Sequence, residues 1–369
     1  MRAPTTGPAL RRCRALLLAA LPLLAHAGEA DDAAHATFAF NGFGTLGLVH
    51  SSEPNADFVF DNLQPHGAGR SRDWSGDTDT RLGAQLTMHA TDKLSAVVQV
   101  ISEYRADGTY RPFFNWANVK YAFTPDVSVR LGRIALDSFL ASDSRRVGFS
   151  NVIARPPTEV YRLLAVKDSD GIDATYRWHD GDVGNTTSVT LGRKTVTNVA
   201  GVDVHSTRLA GLFNTLDYGA LTLHAAYQIR NVDNQRPALG RFMSMGASVD
   251  PGPWFAQAEW AKAINYTAAS VRVVRAAWYV NGGLRIGSVA PYVTVSALRP
   301  LSNTGLAPLA QRTYATGVRW DVARNVDLKL QWDQIQLGSN SFGTLQNVAP
   351  AARAGGRLHV VSLLADVIF

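Results

Sequence analysis

The chain has 369 residues, of which 18% are charged, and its mean hydropathy is −0.05. A near-zero mean excludes a bundle of membrane-spanning helices, and the charge fraction lies below the roughly 25% of an average soluble domain. One closed antiparallel sheet, apolar on one face and polar on the other, averages out in this way and can run the length of such a chain. The formal net charge of +6 includes Arg2, Arg11, Arg12 and Arg14 of the N-terminal segment, so the remainder carries near +2 (6 minus 4). That balance argues against nucleic acid as a partner.

The N-terminal segment reads as a secretory signal. The four arginines precede an apolar run from Ala15 to Leu24 broken by Pro22, and Ala25-His26-Ala27 fits a small-x-small cleavage site. The run is too short to span a bilayer, which needs about 20 residues. Residues 1–27 are therefore expected to leave, and 28–369 to form a single domain beginning at Gly28. Cys13, the only cysteine, leaves too, so the mature chain has no disulfide, thiolate or cysteine–metal chemistry.

The mature chain has no apolar run of helical spanning length, but period-two alternation recurs along it. Strands are predicted at 38–51, 78–91, 93–105, 113–124, 127–135, 170–179, 186–195 and 204–217, then at 220–231, 239–250, 253–266, 270–284, 288–299, 312–322, 325–338 and 357–369. In the ninth, Leu221, Leu223, Ala225, Tyr227 and Ile229 interleave with Thr222, His224, Ala226, Gln228 and Arg230; Ile172, Ala174, Tyr176 and Trp178 do the same with Asp173, Thr175 and Arg177. Alternate side chains of a strand point to opposite faces, so each segment has one greasy and one wet side. Short turns such as Pro125-Asp126, Asp180-Gly181-Asp182 and Pro251-Gly252 alternate with longer connections, the longest being 52–77, 136–169, 300–311 and 339–356. This is the rhythm of a transmembrane antiparallel β-barrel of about 16 strands. Backbone groups in hydrocarbon have no water to bond, so strands can span only in a sheet that closes. Tyr121, Phe123, Trp178, Trp254, Trp320 and Phe369 fall near strand ends, where rings suit a membrane interface. Two stretches depart from the pattern. Polarity flips after Trp332, which predicts a bulge or a strand end above the membrane, and the spacing of Arg272 and Arg275 leaves their faces unassigned.

The C-terminal string RLHVVSLLADVIF places Val361, Leu363, Ala365, Val367 and Phe369 on one face and ends in an aromatic. Together with the signal and the strand rhythm it resembles the trimeric porins of Gram-negative outer membranes, in which a final Phe is an assembly signal. VSVRLGRIAL (127–136) resembles the porins' fifth strand, and KDSDGIDATYRW (167–178) the strand after their third loop. No PEFGG-like string occurs in that loop, and FAFNGFGTLGLVHSS differs from the usual first strand. The resemblance implies an all-β barrel whose long third loop folds into the lumen. It implies passive diffusion of ions and small polar solutes, no enzymatic activity and no cofactor. Implied partners are outer-membrane lipid and lipopolysaccharide, the barrel-assembly machinery and two further copies of the chain in a homotrimer.

In such channels loop charges face wall charges across a constriction and set ion preference. The loop candidates are Asp137, Asp143, Arg145, Arg146 and Glu159, among the further loop charges Arg155, Arg162, Lys167 and Asp168. The wall candidates are Arg81, Lys120, Arg130, Arg133 and Arg177, and Phe369 is the assembly signal. The arginine-rich set leans toward anion preference. Gly42-Phe43-Gly44-Thr45-Leu46-Gly47 fits a dinucleotide fingerprint, but a strand, not a helix, is predicted to follow it. The histidines His50, His89, His205, His224 and His359 have no metal-ligand spacing. Competing readings are a solute-specific channel, an outer-membrane lipid hydrolase using a Ser/His pair, and a soluble secreted β-sandwich or adhesin.

Overall fold

The computed structural model describes residues 36–233, 235, 237–302 and 308–369; the expected signal, residues 1–27, lies outside them. Sixteen long strands follow one another. They are β1 (Thr37–Ser51), β2 (Arg81–His89), β3 (Leu94–Glu103), β4 (Phe113–Ala122), β5 (Val127–Ala135), β6 (Asp168–Asp180), β7 (Val183–Thr197) and β8 (Asp203–Tyr218). Then come β9 (Leu221–Val232), β10 (Gly240–Val249), β11 (Trp254–Tyr266), β12 (Arg272–Leu284), β13 (Val289–Pro300), β14 (Gln311–Ala323), β15 (Val326–Leu337) and β16 (Gly356–Ile368). Each pairs antiparallel with its neighbour in sequence, and β16 pairs with β1 from Phe43↔Ile368 to Ser51↔Val360, so the sheet closes. Among the described residues no helix is long and apolar enough to cross a membrane.

Alternation decides which side of each strand is covered. On β9, Leu223, Tyr227 and Ile229 are exposed while His224, Ala226, Gln228 and Arg230 are buried. On β15, Leu328, Leu330 and Trp332 are exposed and Asp327, Lys329, Gln331 and Asp333 buried. The exposed side is thus the apolar one: Leu46 is 72%, Met245 66%, Leu131 64% and Val293 61% accessible. A belt of this kind would be untenable in water and is the surface a barrel presents to lipid. Tyr121, Phe123, Trp178, Trp254, Trp320 and Phe369 are all exposed at the short-turn end, where Tyr218 joins them.

Both irregular stretches resolve. Past Trp332 the pairing of β15 with β14 and β16 continues without a register shift, so no bulge accounts for the polarity flip. Ile335 instead faces the covered side, in an apolar cluster with Phe58, Leu345 and Leu358, and Gln334 and Gln336 take the other side near the strand end. On β12, Arg275 shares its parity with buried Ala277 and Tyr279, whereas Arg272 is exposed.

Two glycine features position the barrel. At the seam, Gly42 and Phe369 exchange backbone hydrogen bonds (N–H to O, 2.7 and 3.0 Å), and a Cβ on Gly42 would lie 2.2 Å from the Phe369 ring. The fingerprint-like run is therefore barrel strand, with a glycine where the terminal aromatic must pass. Across β5, β6 and β7, Gly132, Gly171 and Gly192 stand opposite one another. Gly132 has φ +128°, and a Cβ on Gly171 would fall 2.1 Å from the Leu191 carbonyl oxygen.

Candidate functional site

The longest connection, residues 136–167 between β5 and β6, contains a 3-10 turn at Gly148–Ser150 and a one-turn helix, α1 (Thr158–Tyr161), entered through Pro157. Many of its interactions run to covered faces of strands. Phe139 stacks on Tyr161 (centroids 4.5 Å apart) and meets Phe242 edge-on (5.1 Å), in an apolar cluster with Tyr279 and Leu298. The Leu140 N–H donates to Glu259 Oε1 (3.0 Å), and Ser244 Oγ donates to the Ser138 carbonyl (2.6 Å). Lys329 Nζ donates to the Gly148 carbonyl (2.7 Å) and Arg319 Nη1 to that of Phe149 (2.6 Å).

Arg155 is the most heavily bonded of these groups. Its guanidinium grips Asp79 bidentately (Nη2–Oδ2 2.6 Å, Nε–Oδ1 3.0 Å), donates to Ser362 Oγ (2.7 Å) and lies 3.8 Å from Asp333. Both members of the Arg155–Asp79 pair are buried. Paired geometry of this kind is what lets two charges leave water.

The expected site residues divide into two groups. The first is engaged in close pairs. Arg145 bonds Asp61 (3.2 Å) and lies over the Phe60 and Tyr161 rings. Arg146 bonds Glu103 (2.8 Å) and Asn115 (3.1 Å). Glu159 is buried and accepts from Gln311 Nε2 (2.6 Å) and Thr313 Oγ1. Arg81 donates to the Asp79 carbonyl (3.0 Å), and Arg133 bonds Asp170 bidentately (2.7 and 3.0 Å).

In the second group only Arg130 is in a close pair. Asp137 is half-exposed, 4.0 Å from His224, and Asp143 is exposed. Arg130 bonds Asp173 (2.9 Å) and stands opposite Lys120 in the β4–β5 register; Lys120 and Arg177, on the next strand but one, are half-buried. Desolvation, then the charge of Asp143, raises the Asp137 carboxyl to about 7, and Arg130 opposes the rise. Asp143 is raised too, by desolvation first, with Arg130 again opposing. The two loop carboxylates thus sense the charge of Arg130, which itself neighbours Lys120 on the wall.

Sequence reasoning did not single out Asp61, Asp79 or Glu103, the acids that hold the loop arginines. For Asp61 and Asp79 the signal was compositional. Residues 52–80 hold six acids and two bases, whereas 136–167 hold three acids and five bases. Among the described residues no group of three or more His, Cys, Asp or Glu side chains is arranged to hold a metal.

No protein-family model and no curated protein sequence matches the chain. Solved structures do. An anion-selective porin from Comamonas acidovorans superposes with a TM-score of 0.60 at 14% identity, over 91% of this chain and 100% of that one. The outer membrane channel DcaP of Acinetobacter baumannii gives 0.61 at 13% identity, over 93% and 100%. Salmonella typhi OmpF, in a complex with daunomycin, gives 0.58 at 11% identity, over 90% and 97%. With sixteen closed antiparallel strands along its whole described length, the chain has the fold of the outer-membrane porins, in a sequence far diverged from theirs.

Proposed function

We propose that this protein is an outer-membrane porin, a water-filled channel for passive diffusion of ions and small polar solutes, and not an enzyme. The observation that carries the reading is the closed sixteen-strand barrel, apolar on its exposed side and charged on its covered side. There Arg130, Lys120 and Arg177 lie on neighbouring strands, and Asp137 and Asp143 sense Arg130. In this reading residues 136–167 lie in the lumen and narrow it, and these charges border the open part. Opposed charges there impose a transverse field on a passing solute; with Arg130 paired to Asp173, Lys120 and Arg177 remain against two weakened acids, a balance that favours anions. The Comamonas acidovorans porin of similar fold is an anion-selective one. Export by the N-terminal signal, recognition of Phe369 by the assembly machinery, contact with lipopolysaccharide and assembly as a homotrimer complete the proposal.

Reconstitution in planar bilayers tests it. Purified protein should give stepwise conductance, in groups of three for a trimer, with a reversal potential in a KCl gradient of the sign for anion preference. Protein that folds in detergent yet gives no steps would overturn the channel reading.

A pH dependence follows from the carboxyls. Because the Asp137 pKa is raised, the group is neutral below about 7 and gains its charge above it. Raising the pH from 5 to 8 should therefore lower the anion-to-cation permeability ratio, and Asp137→Asn should flatten that change. The reversal potential measured at both pH values checks it.

A further inference from the structure

Residues 136–167 do not stand alone. The connections 52–80 and 338–355 meet them, and all three converge on Arg162. Its Nε donates to Asn62 Oδ1 (2.9 Å), and its Nη1 donates to the carbonyls of Val59 (3.3 Å) and Thr344. Its own carbonyl accepts from Asn62 Nδ2 (2.7 Å). One planar guanidinium thus reaches both of the other connections, and a second bond returns from the first of them.

The packing explains why that residue matters. Residues 136–167 are rooted in an apolar cluster on β10–β13, through Phe139, Tyr161 and Leu164. Residues 52–80 and 338–355 are rooted in another on β1, β15 and β16, through Phe58, Ala68 and Leu345. These two connections also bind each other: Asp57 and Gln346 exchange backbone hydrogen bonds (2.8 and 2.9 Å), and Asn347 Nδ2 donates to Asp57 (2.7 Å). Between the two rooted blocks the interactions at Arg162, those of Arg145 and Lys167 with Asp61, and the Arg155–Asp79 pair are polar. Apolar roots hold by excluding water, whereas hydrogen bonds to uncharged carbonyls can be exchanged for bonds to water at small net cost. The contacts at Arg162 are therefore softer than either root, while the buried Arg155–Asp79 pair ties the two blocks at a second point.

We propose that the bore and solute-size limit of the channel are set by these three connections acting as one body, and that Arg162 is a positioning residue that joins its two blocks where all three connections meet. The inference rests on the channel reading. It places the size filter at a joint between connections rooted on different groups of strands.

The test compares wild type with Arg162→Ala, Arg162→Lys and Asn62→Ala in planar bilayers, and in liposomes swollen with neutral sugars of increasing size. Heat-modifiable mobility on gels certifies that each barrel is folded. Arg162→Ala should raise unitary conductance roughly twofold and admit larger sugars, as expected when an obstruction leaves the narrowest section. Asn62→Ala should act in the same direction, and the double variant should add little to Arg162→Ala alone. Arg162→Lys keeps the charge but not the planar fork. It should widen the size limit while leaving the reversal potential at the wild-type value, which separates positioning from electrostatics. If Arg162→Ala fails to fold, Asn62→Ala and Arg162→Lys carry the test. Folded variants with wild-type conductance and size limit would overturn the inference and leave the channel reading intact. Wild-type protein without steps would overturn both.

Discussion

Arg155→Ala is expected to release residues 148–156 from the barrel wall and to be the most disruptive single change in the connection. The substitution strands Asp79, which is buried with its carboxylate in the bidentate pair. Removing one member of a buried ion pair costs roughly 3–5 kcal/mol, most of it the penalty of an uncompensated charge. Arg81 offsets part of the loss, because its guanidinium lies 3.6 Å from the Asp79 carboxylate while its Nε donates to the Asp79 carbonyl, so the low end of that range is expected. The readouts are trypsin cleavage within residues 136–167 of the folded barrel and the noise of the open channel, both of which should rise. Arg155→Met combined with Asp79→Asn should recover most of the loss, since replacing both charges removes the stranded one. Unchanged protease resistance in Arg155→Ala would show that the apolar root alone seats the segment.

The second large effect concerns the wall. Gly171→Ala should lower the yield of folded barrel sharply, with a destabilisation of about 3 kcal/mol, the upper part of the usual range for overpacking. The added Cβ would meet the Leu191 carbonyl oxygen at 2.1 Å and the Gly192 Cα at 2.6 Å. Both are backbone atoms of the paired strand, so no rotamer change relieves the clash. Gly76→Ala is the control, because a Cβ there meets nothing closer than 3.5 Å. The fraction of heat-modifiable protein after refolding into detergent measures both, and equal yields would dismiss the close approach.

The strands were legible because their signal is local. Period-two alternation at Ile172–Trp178 or Leu221–Ile229 needs no knowledge of the partner strand, and all sixteen appear where the alternation lies, with ends shifted by a few residues. The second strand shows the limit: its sequence pattern was extended back to residue 78, yet the strand begins at Arg81, and Asp79 serves the Arg155 pair instead. Polarity alone also misled at Ile335, where an apolar side chain on the wet face answers apolar residues of the connections.

The site was legible as an inventory but not as an arrangement. Arg145, Arg146 and Glu159 were recognisable as charges in a long loop. Their partners Asp61, Glu103 and Gln311 lie tens to more than a hundred residues away and carry no mark in the sequence. Asp137 and Asp143 look no different from Glu159 in a sequence. Only the fold leaves the first two facing Arg130 and buries the third against β14.

The seam between β1 and β16 bears on how the molecule assembles. Every other pairing joins strands consecutive along the chain, so hairpins can accumulate one after another with short loop closures. The seam alone requires residues from the two extremities, Gly42 and Phe369, to find each other. Until that encounter both outer strands have unsatisfied edges, open to pairing with any other extended chain. Closure is thus one long-range event that abolishes two liabilities together.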